Sequence, residues 1–99
     1  MGQAIRSDVL AGKVAFVAGG STGINFEIAR QFAAHGAKVA ILSRKVDRVE
    51  AAAKMLTDEG HDVLGLPGDV RDYARLQEAF AQTVAAYGKI DIVLSGAAG

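Results

Sequence analysis

The stretch that decides the fold is VAFVAGGSTGINFEIA, residues 14–29. It begins with an apolar run typical of a strand buried in a sheet and ends with apolar residues at helical spacing. A glycine-rich turn lies between them. Because the first N–H groups of a helix are unpaired and its amino end carries partial positive charge, this turn predicts a site for an anion. The alternative for Gly19 and Gly20 is a turn with no ligand.

The same strand-then-helix unit repeats along the chain. Apolar runs begin at residues 14, 39, 63 and 90, which are 25, 24 and 27 residues apart. The segments between them have helical periodicity and end at Gly36, Gly60 and Gly88, since glycine accepts the left-handed conformation that stops a helix. The order β-α-β-α-β-α-β predicts an α/β fold with a parallel sheet. Asp72 is the expected N-cap of the third helix.

Each predicted helix carries a row of apolar residues that we expect to face the sheet. A repeat of three or four residues places side chains on one side of a helix. The rows are Ile24, Ile28 and Phe32 with Ala29 and Ala33, then Val46, Val49, Ala53 and Leu56, then Leu76, Phe80, Val84 and Tyr87.

Composition and charge exclude several classes of protein. The 99 residues are 51% hydrophobic, which suits one small folded domain. Eleven basic residues balance eleven acidic ones, so net charge gives no attraction to nucleic acid or an anionic membrane. The absence of cysteine excludes a disulfide scaffold and a thiolate zinc site, and His35 and His61 lack a metal-ligand pattern. With no apolar run long enough for a bilayer and no signal peptide, we expect a cytoplasmic protein.

The turn reads Ala18-Gly19-Gly20-Ser21-Thr22-Gly23-Ile24-Asn25 and resembles the opening motif of the short-chain dehydrogenase/reductase family, Thr-Gly-x-x-x-Gly-x-Gly. Ala18 stands for the threonine and Asn25 for the last glycine. A P-loop is excluded because Gly23 is not followed by Lys-Ser/Thr. Three further motifs flank the turn at the family's spacing, so that the resemblance covers nearly the whole chain: Gly12-Lys13-Val14, Gly68-Asp69-Val70 and Gly88-Lys89-Ile90-Asp91.

The resemblance implies a Rossmann doubly wound sheet with strand order 3-2-1-4 and a dinucleotide cofactor. The pyrophosphate would lie on the glycine-rich turn and the amino end of the first helix. An asparagine side chain at position 25 would donate a hydrogen bond to phosphate in place of the glycine's close approach. The residues implied at this part of the site are Gly19, Ser21, Thr22, Gly23, Ile24 and Asn25.

The end of the second strand indicates which dinucleotide is bound. NAD-selective folds place an acidic residue about 20 positions after the glycines, where it binds the ribose 2′-hydroxyl. Here that place holds Ser43, followed by Arg44 and Lys45. Two cations, a hydroxyl and no acid favour the 2′-phosphate of NADP(H) over NAD(H). The alternative is that Arg44 and Lys45 are only solvated loop charges.

The ends of the third and fourth strands complete the implied site. By resemblance, Asp69 would accept from the adenine amino group and the backbone of Val70 would pair with the ring. The alternative for Asp69 is a turn or capping role. Ser95, Gly96 and Ala97 follow the fourth strand where the family has Asn-Asn-Ala. The extra alanine there is similar to 2,4-dienoyl-CoA reductases, and Ser43-Arg44-Lys45 is similar to peroxisomal enoyl-CoA reductases, which favours an acyl-CoA substrate.

The resemblance places the family's catalytic serine and Tyr-x-x-x-Lys pair beyond the fourth strand. Tyr73 and Tyr87 are followed four residues later by Gln77 and Asp91 rather than lysine, so no catalytic residue is assigned. Residues 1–99 are interpreted as one partial NAD(P)-binding domain that lacks the catalytic half and is inactive alone. The complete protein is expected to be a homo-oligomeric NADPH-dependent oxidoreductase that reduces a carbonyl or an enoyl- or dienoyl-CoA. The alternative is a non-catalytic dinucleotide-binding or interaction module.

Overall fold

A computed structural model describes residues 9–19 and 23–95, and its strands and helices alternate as the sequence predicts. The strands form a four-stranded parallel sheet in the order β3-β2-β1-β4, which confirms the predicted architecture. The elements are β1 (Val14–Ala18), α1 (Gly23–Ala34), β2 (Lys38–Ser43), α2 (Val46–Asp58), β3 (Val63–Pro67), α3 (Tyr73–Tyr87) and β4 (Ile92–Ser95).

The core lies on both faces of the two central strands, which is why their sequences are almost wholly apolar. Helices α1 and α2 cover one face, where Val17, Ile41 and Leu56 belong to one buried cluster. Helix α3 covers the other face, where Phe16 packs against Phe80 with ring centroids 4.6 Å apart at 67°. Burial decreases toward β4, whose Val93 is exposed.

The predicted rows are confirmed in part, since Phe32, Leu76 and Phe80 pack against the core while other members of the rows are exposed. In α1 the buried residues are Ala29 and Ala33, whereas Ile24 is 79% exposed. In α3 they are Ala79 and Thr83, and Val84 is exposed. A strict four-residue repeat advances about 40° beyond a full turn at each step, so the ends of such a row leave the buried side. In α2, Val49, Ala52 and Leu56 are buried, whereas Val46 is exposed.

The predicted caps are largely confirmed. The Asp72 carboxylate accepts a hydrogen bond from the Arg75 N–H at 3.1 Å and caps α3. Gly36, Gly60 and Gly88 all have positive φ.

At the amino end of the sheet, the Tyr87 hydroxyl donates to Asp62 at 3.0 Å, and the Lys38 ammonium lies 5.6 Å from the centre of the Tyr87 ring.

Strand β4 begins at Ile92, two residues later than its apolar run. Asp91 accounts for the difference because it pairs with both backbone groups of Val14. Its carboxylate accepts from the Val14 N–H at 2.8 Å, and its own N–H donates to the Val14 carbonyl at 2.8 Å. That bond from the Val14 N–H is the main reason that the pKa of Asp91 is lowered. The last residue of the Gly88–Asp91 motif therefore fixes β4 to the start of β1.

Candidate functional site

The candidate site lies along the carboxyl ends of the four strands. The chain moves from β1 to β2 and β3 on one side, and then crosses to the other side of β1 to form β4. Open parallel sheets bind ligands at such a reversal, which here lies next to the carboxyl end of β1. The register sets Ala18 of β1 between Leu42 of β2 and Ser95 of β4. Ser95, a predicted site residue, thus lies beside the first strand-to-helix junction.

The junction after β1 has a glycine at each of its described ends, Gly19 and Gly23. Gly19 has a φ of 79°, and its N–H donates to the Leu42 carbonyl at 2.6 Å, which holds the start of the turn against β2. Helix α1 begins at Gly23 with a φ of 69°, and a Cβ on Gly23 would meet no described atom within 4 Å outside its chain neighbours and its own helix. The first turn of α1 contains no acidic residue. Because the first N–H groups of a helix are unpaired within it, this helix start suits an anion.

The other predicted residues of this junction differ in what the structure describes. Ile24 is largely exposed, and Asn25 is half-buried in the first turn of α1. Three residues of the turn lie outside the described residues: Gly20, Ser21 and Thr22.

The three predicted residues of the turn after β2 differ in exposure to solvent. Ser43 is buried, its hydroxyl accepts from the Lys45 N–H at 3.3 Å, and its carbonyl accepts from the Gly68 N–H at 2.8 Å. These bonds shape the turn from within. The Arg44 side chain is 50% exposed, and Lys45 is exposed at the start of α2. Arg44 and Lys45 are thus the groups of this turn that face solvent.

The turn after β3 contains a close carboxylate–guanidinium pair. The Asp69 carboxylate accepts from Arg71 Nε at 3.1 Å, from Arg71 Nη2 at 2.8 Å and from the Arg71 backbone N–H at 2.9 Å. These bonds, with the side-chain bond first, lower the pKa of Asp69 to about 2. A second guanidinium, that of Arg44, lies 3.9 Å from Asp69 Oδ2. Asp69, Arg44 and Arg71 thus form one cluster across the ends of β2 and β3.

Sequence reasoning missed Arg71. The signal was present as Asp69-Val70-Arg71, a carboxylate two residues before an arginine in a turn, where the side chain and backbone of the arginine can bind the same carboxylate. Asp69 does not cap α3, since Asp72 does so. Val70 is half-buried against the cluster beneath α3.

Arg75 holds the carboxyl end of β3 against α3. Its Nε donates to the Pro67 carbonyl at 2.7 Å, and its Nη1 donates to Gln82 at 2.9 Å. Gly68 leaves the room for this side chain, because a Cβ on Gly68 would lie 2.7 Å from Arg75 Cγ and 3.0 Å from Leu42 Cδ1. The strand end that carries Asp69 is thereby fixed in position.

Of the site residues expected from sequence, the structure brings two groups together. Gly19, Gly23 and Ser95 lie around the end of β1, and Arg44 and Asp69 lie across the ends of β2 and β3. Gly96 and Ala97 lie outside the described residues. Over residues 9–19 and 23–95, no group of His, Asp or Glu side chains could hold a metal ion. No helix in the described part of the chain has the length and apolarity needed to cross a membrane.

The chain is similar in sequence to one family of known proteins. The sequence profile of the short chain dehydrogenase family matches residues 13–99. The chain is 38% identical over 99 residues to the peroxisomal 2,4-dienoyl-CoA reductase of Arabidopsis thaliana, covering 100% of the chain and 33% of the relative. It is 38% identical over 88 residues to cis-2,3-dihydrobiphenyl-2,3-diol dehydrogenase of Paraburkholderia xenovorans, covering 89% of the chain and 31% of the relative.

Solved structures of dehydrogenases/reductases share the fold of this chain. A dehydrogenase/reductase from Sinorhizobium meliloti superposes with a TM-score of 0.86 at 34% identity, over 97% of this chain and 38% of that one. A short-chain dehydrogenase/reductase from Serratia marcescens superposes with a TM-score of 0.82 at 43% identity, over 88% and 36%. The chain thus spans about a third of the length of the relatives it matches.

Proposed function

The chain belongs to the short-chain dehydrogenase family, and from that premise we propose that it is the cofactor-binding part of an NADPH-dependent oxidoreductase. Arg44 carries the proposal: it directly follows Ser43, which ends β2 where an NAD-selective fold has an acid, and it is half exposed at the carboxyl end of the sheet. When bound, NADPH supplies a hydride to a substrate.

The residues present fit such a dinucleotide. Gly19 and Gly23 have positive φ, and the first turn of α1 offers N–H groups and contains no acidic residue, which suits a pyrophosphate. Arg44 and Lys45 would hold the 2′-phosphate, with Ser43 shaping their turn. We assign the adenine side of the site to Asp69 and Val70. Assigned to the phosphate and nicotinamide side are Ser21, Thr22, Ile24, Asn25, Ser95, Gly96 and Ala97.

The cofactor preference is tested by Arg44→Asp in the full-length protein. Loss of a charged hydrogen bond is worth about 1.5–3 kcal/mol, so NADPH affinity should fall roughly 10- to 150-fold while NADH affinity changes little. Titration calorimetry with both cofactors measures the ratio. Lys54→Asp on the outer part of α2 is the control, since Lys54 pairs only with Asp58 at 3.1 Å among the ion pairs of the described residues. An unchanged NADPH/NADH ratio in Arg44→Asp would reject the preference.

We propose an acyl-CoA substrate for the complete enzyme. Support comes from relatives named 2,4-dienoyl-CoA reductases, one of which matches along the whole chain. A relative named for a dihydrodiol also matches 89% of the chain, so this region occurs as well in an enzyme named for another substrate. The test is oxidation of NADPH by the full-length protein with a 2,4-dienoyl-CoA, beside reduction of NAD with a cis-dihydrodiol. Turnover with the dihydrodiol alone would reject the acyl-CoA assignment, and tight NADPH binding without any turnover would favour a binding module. The cytoplasmic location and the homo-oligomer stay predictions.

A further inference from the structure

We propose that Arg71 sets the cofactor selectivity from outside the phosphate site, by taking up the charge of Asp69 so that Arg44 stays available to the 2′-phosphate. This inference rests on the proposed preference for NADPH. Arg71 acts here as a positioning residue, because its hydrogen bonds are to Asp69 rather than to the phosphate.

The distances show how the carboxylate is divided between the two arginines. Arg71 Nη2 lies 2.8 Å from Asp69 Oδ2 and Arg71 Nε lies 3.1 Å from Oδ1, which is the planar two-point pairing that guanidinium groups favour. Arg44 Nη1 lies 3.9 Å from Oδ2, beyond hydrogen-bond range. The Asp69 carboxylate therefore accepts its hydrogen bonds from Arg71, and its interaction with Arg44 is only a weak ion pair.

Removing Arg71 would change the charge that a phosphate meets. Arg44, Arg71 and Asp69 together carry a net charge of +1, which becomes zero without Arg71. Asp69 would then be an unpaired acid with one cation within reach. Arg44 would move to it, and the pair of Arg44 and Asp69 would then offer no net positive charge to the phosphate. An acid near the ribose is the arrangement that favours NAD over NADP.

The pairing with Arg71 leaves room for adenine. A carboxylate has about four lone-pair positions. Arg71 fills two on Oδ1 through its N–H and Nε, and one on Oδ2 through Nη2, with a weaker approach of Nε to Oδ2 at 3.3 Å. One position on Oδ2 remains to accept an amino group. Arg71 can thus orient Asp69 for adenine and neutralise it in the same state.

The test compares Arg71→Gln, Arg71→Lys and the control Arg30→Gln in the full-length protein. Arg30 is also a partly exposed arginine with two carboxylate partners, Glu27 at 3.5 Å and Glu59 at 3.6 Å, and it lies away from the strand ends in question. Calorimetry with NADPH, NADH and 2′,5′-ADP gives the dissociation constants. We expect Arg71→Gln to lower the NADPH/NADH affinity ratio about three- to tenfold, Arg71→Lys to retain most of it, and Arg30→Gln to leave it unchanged.

A double variant separates charge from shape. Asp69→Asn added to Arg71→Gln removes the acid that would capture Arg44, so the NADPH/NADH ratio should return toward the wild-type value even if both affinities fall. A ratio that stays low in the double variant would overturn the proposed mechanism. So would an unchanged ratio in Arg71→Gln when the wild-type protein prefers NADPH. A wild-type protein without that preference would instead reject the proposed cofactor, and this inference with it.

A measurement without cofactor tests the pair itself. The carbon resonance of the Asp69 carboxyl, followed by NMR against pH, should report a pKa of about 2 in the wild type and a higher pKa in Arg71→Gln, with no change in Arg30→Gln. An Asp69 pKa that is the same in wild type and Arg71→Gln would mean that the pair does not form in solution, and the proposal would be wrong.

Discussion

The two ends of the sheet use polar side chains in opposite ways. At the amino ends of the strands, Asp91 pairs with both backbone groups of Val14, and Tyr87 lies between Asp62 and Lys38. Each of these side chains joins two elements that are distant in the chain. At the carboxyl ends, positive-φ glycines, an acid-free helix start and exposed cations face outward.

The difference indicates that side chains at the amino edge mainly stabilise the fold, whereas the exposed groups at the carboxyl edge are mainly left for a ligand. Parallel strands with helical crossovers bring every strand end of one kind to the same edge, so the chain can satisfy one edge fully and leave groups for a ligand at the other. Substitutions at the amino edge should then change the free energy of unfolding without changing cofactor choice. Substitutions of the exposed cations Arg44 and Lys45 at the carboxyl edge should do the reverse.

The largest expected effect is from Tyr87→Ala at the amino edge. Removing this half-buried ring deletes its packing and its bond to Asp62, which should lower the free energy of unfolding by about 2–3 kcal/mol. Tyr73→Ala is the matched control, because Tyr73 is 70% exposed at the other end of the same helix. Urea unfolding and cofactor titration measure both properties. A changed NADPH/NADH ratio in Tyr87→Ala would break the division between the edges.

Gly68→Ala tests a structural position within the carboxyl edge. A Cβ there would press on Arg75 Cγ and Leu42 Cδ1, and overpacking of this kind should cost about 1–2 kcal/mol. The substitution made in an Arg75→Ala background should cost less, since one of the two clashes is gone. Denaturation of the four proteins in this cycle gives the coupling. Equal costs in both backgrounds would show that Arg75 does not fill the space above Gly68.

The Tyr87 hydroxyl should make the amino edge sensitive to high pH. Burial, then the bond to Asp62, raises the pKa of Tyr87 above its ordinary value of 10.0. The folded state thus favours the neutral phenol, and the stability this gives is complete below pH 10 and is lost as pH rises toward the folded-state pKa. Tyr87→Phe should cost about 1 kcal/mol at neutral pH and lose less stability above pH 10.

Thermal unfolding between pH 7 and 11 follows this effect, with Tyr73→Phe as the control. Parallel losses of stability in the wild type and Tyr87→Phe would contradict the role of the Tyr87 hydroxyl.

The smallest expected effect is from Asn25→Gly at the start of α1. Glycine is the residue of the family motif, so the fold should accept it, at a cost of about 0.5–1 kcal/mol in helix stability. If the Asn25 side chain binds phosphate, affinity for NADPH and NADH should fall together. Ala34→Gly at the other end of α1 is the control for helix stability. Equal or tighter cofactor binding in Asn25→Gly would remove Asn25 from the phosphate site.

Most of the fold followed from the sequence because it depends on local patterns. The apolar runs, the helix-stopping glycines and the Asp72 cap each involve neighbours in the chain. The strand order came from the resemblance and is confirmed. The faces of the helices were predicted only in part: Leu76 and Phe80 pack against the core as expected, but the buried Ala79 and Thr83 were not named. Small residues carry little apolar signal, although they allow the closest approach of a helix.

The candidate site was predicted less completely. Arg44 and Asp69 were named separately, and their proximity depends on the pairing of β2 with β3. The pairing of Arg71 with Asp69 could have been found from their spacing, but a charged residue in a turn is usually solvated. Ser43 was expected to bind phosphate, and its hydroxyl accepts from Lys45 within its own turn. Its role toward a cofactor stays a prediction.

The bond between Val14 and Asp91 spans 77 residues of chain, and this has a consequence for how the protein is made. On β1, the edge toward β2 finds a partner only 24 positions away, with Val14 opposite Lys38. The other edge of β1 pairs with β4, which is the last of the four strands to be synthesised. At ~5–20 residues per second, synthesis from the end of β3 to the end of β4 takes roughly 1–6 s. During that interval one side of the most buried strand is an open edge that another nascent chain can pair with. We therefore expect the β3-to-β4 segment to be where slow translation is most harmful.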